Sequence, residues 1–225
     1  MKHYVDVVVT TDKENRQEVR VGCNTQYAPI LVRMLDRQSR WGIDNGLRTV
    51  IPTALTFGLL GYPFVLPDMI AGNAYEGVIV EKELFIRWLQ VNAFLPSIQF
   101  SIPPWYFNDT SVTDHTRYIL KLRESYSSLF LKTREEAINY GWPMVRPLWW
   151  ICSDDTECQS TDDEFLLSDT LLVAPVVLKG ATSRDIYIPA GTWEDKLRGG
   201  NLTGPEMYRS YNASLYELPY FEKIV

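Results

Sequence analysis

Two aspartates stand where their surroundings would let a carboxylate do chemistry. Asp44 lies in SRWGIDNG and Asp68 in FVLPDMIAGN. Each follows an apolar or aromatic run and precedes Gly and Asn, the composition of a loop at the carboxyl end of a strand. In β/α architectures that end is where reacting groups are assembled. A carboxyl that protonates a departing oxygen, with a second that stabilises or attacks the carbon left behind, is what cleavage of a glycosidic bond requires. An acid in a niche walled by Trp41 would have its ionised form disfavoured and would hold the proton for such a step. The same two residues could instead cap helices or close turns. Histidine offers no alternative. The only two, His3 and His115, lie far from the cysteine pair and lack ligand spacing, so zinc, Ser-His-Asp and Cys-His chemistries are all disfavoured. The acids and bases of any enzyme here are carboxylates.

These residues sit among elements that the pattern of apolar positions outlines. A helix is expected from about Leu47 to Leu60, stopped by Gly61 and Pro63. Phe64 to Leu66 is wholly apolar, as in a strand covered on both faces. Residues 81–94 put Leu84, Trp88 and Val91 on one helical stripe, and SIQFSI (97–102) is the next strand candidate. The longest helix runs from Asp114 to Asn139, with Gly141 as its stop. EVRVG (18–22) alternates as a strand does, whereas YVDVVVT (4–10) is too short for its period to separate strand from helix. After Trp142 helical periods vanish and β-rich runs recur between turns: VRPLWWI, DTLLVAPVV, RDIYIPAG and SLYELPYF. Residues 1–141 therefore read as β/α units and 142–225 as an appended antiparallel β-sandwich. Three or so β/α units cannot close a barrel of eight. Either the sheet is open and small, or the chain is a piece of something larger.

Composition narrows the classes further. The 225 residues carry 22 Lys+Arg against 28 Asp+Glu, a net charge of −6, which argues against nucleic acid and anionic membranes as partners. No apolar run approaches the roughly 18 residues of a membrane span. The first twenty residues, with Asp6, Asp12 and Glu14, do not read as a signal peptide. No GxGxxG or Walker loop accompanies the strands, so no nucleotide cofactor is expected, and no metal-ligand set is seen. Aromatics at 13% suit sugar stacking and an ordinary core alike. Cys152 and Cys158 could close a small loop in an oxidising compartment, leaving Cys23 over. Sequons at Asn108, Asn201 and Asn212 are glycosylation candidates, and with the cysteine pair they point to the secretory pathway, the endoplasmic reticulum lumen or outside the cell.

At Asp44 and Asp68 a resemblance appears. RMLDRQSRWGIDNGLRTVIPTALTFGLLGYPFVLPDMIAGN, followed by ELFIRWLQVNAFLP, resembles the second half of the catalytic barrel of glycoside hydrolase family 31. RPLWWICSDDTECQSTDDEFLLSDTLLVAPVVLKGATSRDIYIPAGTW resembles that family's β-sandwich after the barrel. LPDM-x-x-GN, AFLPSIQFSIPPW and RPLWW are similar to the branch of the myogenesis-regulating glycosidase, an α-galactosidase-like one. The resemblance covers about residues 16–221. It implies the C-terminal part of a (β/α)8 barrel (1–141) followed by a β-sandwich domain (142–225), and retaining hydrolysis of α-linked glycosides without a cofactor. By motif position it makes Asp44 the general acid/base and Trp41 the sugar-facing tryptophan. Asp68 becomes a substrate-site aspartate nearer a supporting role, Arg87 and Trp88 packing residues, and Arg20 or Arg33 a replacement for the family's substrate arginine.

Two departures from the family pattern carry implications. Ser101, in QFSI, stands where many relatives have a substrate-binding histidine, which argues against simple glucosidase specificity. The family's nucleophilic aspartate belongs to a K-x-D motif upstream of Asp44 that is absent here, and Asp6 and Asp12 have no such context. The expected reading is the acid/base half of a glycosidase without its nucleophile half, inactive alone, from a parent that relatives suggest is membrane-anchored upstream. The alternative is a non-catalytic truncated homologue that binds glycans or a protein.

Overall fold

The computed structural model describes residues 2–11, 17–20, 22–75 and 77–224, so Asp12 and Glu14 lie outside the described residues. Three short strands, β1 (Glu18–Val19), β2 (Leu31–Arg33) and β3 (Val65–Leu66), run parallel in that order, Val19 opposite Val32 and Val32 opposite Val65. The segment expected as a strand at 97–102 extends this arc only by a parallel bridge from Phe100 to Ile70. Pro96 and Pro103, which lack an N–H, flank it.

Helices cover the outside of the arc. The run that left strand and helix open is helical, α1 (Lys2–Thr11). Val5 joins Val19, Ala28, Ile30 and Val32 in one cluster, and Val8 and Val9 pack on it at helical spacing. α2 (Val50–Leu59) follows a 3₁₀ turn at Leu47–Thr49, and α3 (Lys82–Asn92) is buried from Leu84 to Asn92. The single long helix expected over 114–139 is two, α4 (Thr110–Ser125) and α5 (Ser127–Tyr140). Tyr126 breaks them because its ring is held edge-on against Phe94 and its hydroxyl donates to Glu222, 2.5 Å away. Asp109 caps α4 by accepting from the Ser111 N–H at 3.0 Å. Gly141, at φ +73°, ends α5 in the left-handed conformation that favours glycine.

The rest is one antiparallel sheet with a short helix, α6 (Thr156–Ser160). Its strands are β4 (Val145–Arg146), β5 (Phe165–Leu167), β6 (Leu171–Val173), β7 (Ser183–Asp195), β8 (Asn201–Asn212) and β9 (Tyr220–Ile224), in the order β4-β5-β6-β9-β7-β8. Strand alternation sends Phe165, Leu167, Leu171, Val173 and Tyr220 into a core shared with Phe85, Trp88 and Phe94 of the helical part. Leu166, Leu172 and Phe221 point the other way, into a second core with Ile186, Ile188 and Trp193 from β7. Both faces of the central strands are thus dry, which is why β5 and β6 read as continuous apolar runs.

Two buried guanidinium groups fasten the halves together. Arg87 of α3 donates to the carbonyls of Ala181, Ala213 and Glu217 at 2.9, 3.0 and 3.3 Å, and burial lowers it to about 10. With Trp88 wholly buried, the expected packing role of this pair is what the structure shows. Arg146, the first residue of the RPLWW motif, pairs with Glu136 of α5 and with Asp169 between β5 and β6, its charge flanked by Trp142 and Trp150.

Burial also acts on two groups in opposite senses. It pushes His115 down to about 4 and Glu164 up to about 7. The folded His115 refuses a proton that the unfolded imidazole accepts below about pH 6.5, so its contribution to stability is full above that pH and falls as pH drops towards 4. The folded Glu164 keeps a proton that the unfolded carboxyl releases above about pH 4.5, so its contribution falls as pH rises towards 7. Each slope is at most about 1.4 kcal/mol per pH unit. Between pH 4.5 and 6.5 they oppose each other. Urea midpoints measured across that window are therefore expected to rise with pH more steeply in Glu164→Gln than in the parent. In His115→Gln they should tilt the opposite way.

Candidate active site

The loops that follow β2, β3 and the Phe100 bridge leave the carboxyl end of a parallel arc, so they meet on one side of it. A buried carboxylate fixes the first two together. Asp68 sits just past β3 with φ +68°, a conformation that costs a non-glycine residue on the order of 1 kcal/mol. Its side chain is wholly buried. Oδ1 accepts from Arg33 Nε and Nη2 at 3.2 and 2.7 Å, and Oδ2 accepts from the Arg37 backbone N–H at 2.6 Å and Asn73 Nδ2 at 3.0 Å. Asn73 also ties back to Arg37, its N–H donating to the Arg37 carbonyl at 2.8 Å.

The loop between β2 and α2 is closed by its own residues. Arg37 Nη1 donates to Asn45 Oδ1 at 2.8 Å, Asn45 Nδ2 to the Asp36 carbonyl at 2.7 Å, and the Gln38 N–H to the Asn45 carbonyl at 2.9 Å. Asn45 reaches this position with φ +56°. Gly46 lets the backbone cross itself, since a Cβ there would stand 2.5 Å from the Arg40 carbonyl oxygen. Asp44 rides on this turn.

Asp44 differs from the expectation in its surroundings. Its side chain is 83% exposed, and Oδ2 accepts from Arg40 Nη1 at 2.7 Å. The niche walled by Trp41 is not formed, because the turn aims Asp44 outwards while the half-buried indole of Trp41 donates Nε1–H to Glu81 Oε2 at 3.2 Å. Glu81 in turn accepts from Lys179 of the β domain at 2.7 Å, and Lys179 and Trp41 together hold its carboxyl below the usual range. Asp68 also differs from a sugar-contacting role: it is sealed, with both oxygens occupied. Ser101 is half-buried and donates to the Gly72 carbonyl at 2.9 Å. Arg33 is committed to Asp68 and Glu18, whereas the more exposed Arg20 pairs with Asp36 at 2.6 Å. Asp6 lies on α1 and accepts from the Tyr27 hydroxyl.

Sequence reasoning missed Glu81, Arg37, Asn45 and Asn73, which do the positioning. Only the Asp-Asn-Gly run at 44–46 signalled a tight turn. Cys152 and Cys158 are bonded, with Cα atoms 6.2 Å apart, and Cys23 is exposed and unpaired. Asn108, Asn201 and Asn212 are all exposed.

A parallel arc with carboxylates and an aromatic on its carboxyl-end loops, followed by an antiparallel β domain, is an arrangement shared with known proteins. The family model described as "Glycosyl hydrolases family 31 TIM-barrel domain" matches residues 35–129, and "Glycosyl hydrolase family 31 C-terminal domain" matches residues 141–223. The chain belongs to glycoside hydrolase family 31. Within it, the branch of the myogenesis-regulating glycosidase is supported: the chain is 44% identical to that protein of Mus musculus over 213 residues, 91% of this chain and 30% of the relative. It is 33% identical to alpha-glucosidase 2 of Bacillus thermoamyloliquefaciens, over 84% of this chain and 24% of that one. A family 31 alpha-xylosidase from a soil metagenome, solved with xylose, superposes with a TM-score of 0.85 at 23% identity, covering 99% of this chain and 37% of that one. The chain thus spans about a third or less of these relatives. The fold is part of a (β/α)8 barrel followed by a β-sandwich domain.

The Asp68 hub is expected to dominate the stability of this face. Asp68→Ala leaves Arg33 without its buried partner and should lower the unfolding free energy by about 3–5 kcal/mol in urea denaturation. Hydrogen exchange at the Arg37 amide should accelerate with it. Asp68→Asn should cost less while still freeing Arg33.

Proposed function

We propose that this chain supplies the acid/base side of a retaining α-glycoside hydrolase, acting on α-galactosides or α-glucosides. Asp44 is the proton donor, and Trp41 and Ser101 face the sugar. Asp68 is a positioning residue. The observation that carries the reading is Asp44 itself: a carboxyl held by a clamped turn on the carboxyl-end side of the arc, presented outwards, in a chain of this family. In the first step Asp44 gives its proton to the glycosidic oxygen as the bond to the anomeric carbon breaks, while a second carboxylate attacks that carbon and forms a glycosyl ester. In the second step the Asp44 carboxylate takes a proton from water as the water oxygen attacks the anomeric carbon; the bond from that carbon to the second carboxylate breaks, releasing the sugar and the free carboxylate. The pair with Arg40 favours ionised Asp44, so it has to part for Asp44 to carry the proton of the first step. A carboxyl enclosed with a sugar and a second carboxylate keeps its proton more readily than one in water.

The second carboxylate has to stand about 5–5.5 Å from Asp44 for retention. Among the described residues, Asp6 belongs to the outer helix layer, Asp36 is engaged by Arg20 and Tyr75, and Glu18 by Arg33. Because no K-x-D motif lies upstream of Asp44, we read the 225 residues alone as inactive. In protein that carries both carboxylates, Asp44→Asn should lower kcat/KM on an aryl α-glycoside with a poor leaving group by about 10²–10⁴. A 2,4-dinitrophenyl glycoside, whose leaving group needs no proton, should lose far less. Equal loss on both would refute the acid/base role. No activity from the parent on any α-glycoside would favour the binding module instead.

The exposed sequons and the bonded cysteine pair support passage through the secretory pathway. Expressed there, the protein should lose mass on treatment with peptide N-glycosidase. Asn108→Gln, Asn201→Gln and Asn212→Gln should each remove one step of that loss, and an unchanged mass would count against glycosylation.

A further inference from the structure

A groove of about 440 Å³ opens at the end of the parallel arc opposite Asp44, where the chain enters β2 and β3. Ile30, Phe64, Pro96, Phe130 and Met144 line it together with Arg123 and Arg134. Its size falls within the usual range for small-molecule sites, and its wall is mostly apolar. The unusual part is the charge.

The other buried or half-buried arginines have carboxylates acting on them. Arg33 pairs with Asp68, Arg146 with Glu136 and Asp169, and Arg184 with Asp163 and Glu164. Arg37 feels Asp68, and Arg87 feels Glu83 and Glu217. Arg123 has none among the described residues. Burial alone brings it down to about 10. Nη1 donates to the Ala93 and Leu95 carbonyls at 3.0 and 2.5 Å, and Nη2 to the Pro96 carbonyl at 2.8 Å. These carbonyls close the end of α3, and their dipoles offset part of the charge. The guanidinium fork still keeps Nε–H and one Nη2–H without a protein partner among the described residues, the edge that grips a carboxylate with two parallel bonds. Its Cζ lies over the Phe130 ring, 4.2 Å from the centroid, so the guanidinium adjoins an aromatic wall of the groove. Arg134, one helical turn beyond Phe130, is exposed and pairs with no carboxylate among the described residues.

We propose that this groove binds a monomeric amphipathic organic anion: a carboxylate on Arg123, steered by Arg134, with an apolar chain or ring lying along Phe130, Phe64 and Ile30. The site lies at the far end of the arc from the glycosidase loops and is independent of the function proposed for them. A charge without a counter-ion in an apolar groove explains why an anion is selected over a neutral molecule of the same shape.

The test is calorimetric titration of the intact protein at pH 7 with octanoate and with octan-1-ol, both below aggregation. Octanoate should bind saturably and about tenfold or more tighter than the alcohol, the selectivity a charge-assisted pair provides. Arg134→Gln, at an exposed position that leaves folding intact, should weaken octanoate about threefold or more and leave the alcohol unchanged. Ile138→Asp, at the exposed mouth, should reduce both. Arg123→Lys keeps the charge but not the fork and should cost octanoate about tenfold; if it fails to fold, the Arg134 and Ile138 variants still decide. Equal binding of octanoate and octanol, or saturable binding of neither, overturns the proposal. Sedimentation with phosphatidylglycerol vesicles in the absence of octanoate binding also overturns it, in favour of a membrane surface.

Discussion

The loops at the carboxyl end of the parallel arc depend on one ion buried beneath them. Asp68 accepts from a guanidinium, a backbone N–H and an amide, from residues on either side of the gap between β2 and β3. A carboxylate without water is tolerable only when every lone pair is met, and here each oxygen accepts from two donors. The consequence is geometric. Arg37 is pinned at its N–H by Asp68, at its carbonyl by Asn73 and at its side chain by Asn45, the neighbour of Asp44. The exposed acid is therefore carried on a clamped turn, although its own side chain is engaged only by the surface residue Arg40.

The β domain takes part in this arrangement. Glu81 receives the Trp41 indole N–H on one oxygen and Lys179 on the other. Next to it, Glu83 accepts the Gly180 N–H at 2.7 Å, and Arg87, one turn further along α3, closes on Ala181. The loop at 179–181 is thus grasped by one face of α3. A core that runs from Phe85 and Trp88 into β5, β6 and β9 makes the contact dry as well as polar. A β domain in this position stabilises the tryptophan's orientation as well as the barrel's flank.

Much of this was legible in the sequence, and the parts that were not have physical reasons. The stop at Gly141, the helix after Leu47, the doubly buried β3 and the change of character beyond Trp142 all follow from local chemistry. β8 carried no signal because it is a sheet-edge strand with mostly exposed, polar residues such as Asn201, Glu206 and Arg209. The break at Tyr126 was hidden because the tertiary contacts that make it, with Phe94 and Glu222, come from residues far along the chain. The types Asp44, Trp41 and Asp68 marked two loops at the carboxyl end of the arc, but type and spacing do not say which carboxylate is sealed and which is open. That division is decided by donors at Arg33, Arg37 and Asn73, which a linear reading has no means of bringing together.

The most direct measurement is a crystal structure of the full-length protein with an unreactive α-thioglycoside in the site. The account requires the Asp44 carboxyl within hydrogen-bond reach of the glycosidic sulfur, a second carboxylate about 5–5.5 Å from it on the opposite side of the anomeric carbon, and Asp68 still buried beneath Arg33. A sugar that contacts Asp68 directly, or an Asp44 that stays on Arg40 and faces away from the ligand, would contradict it.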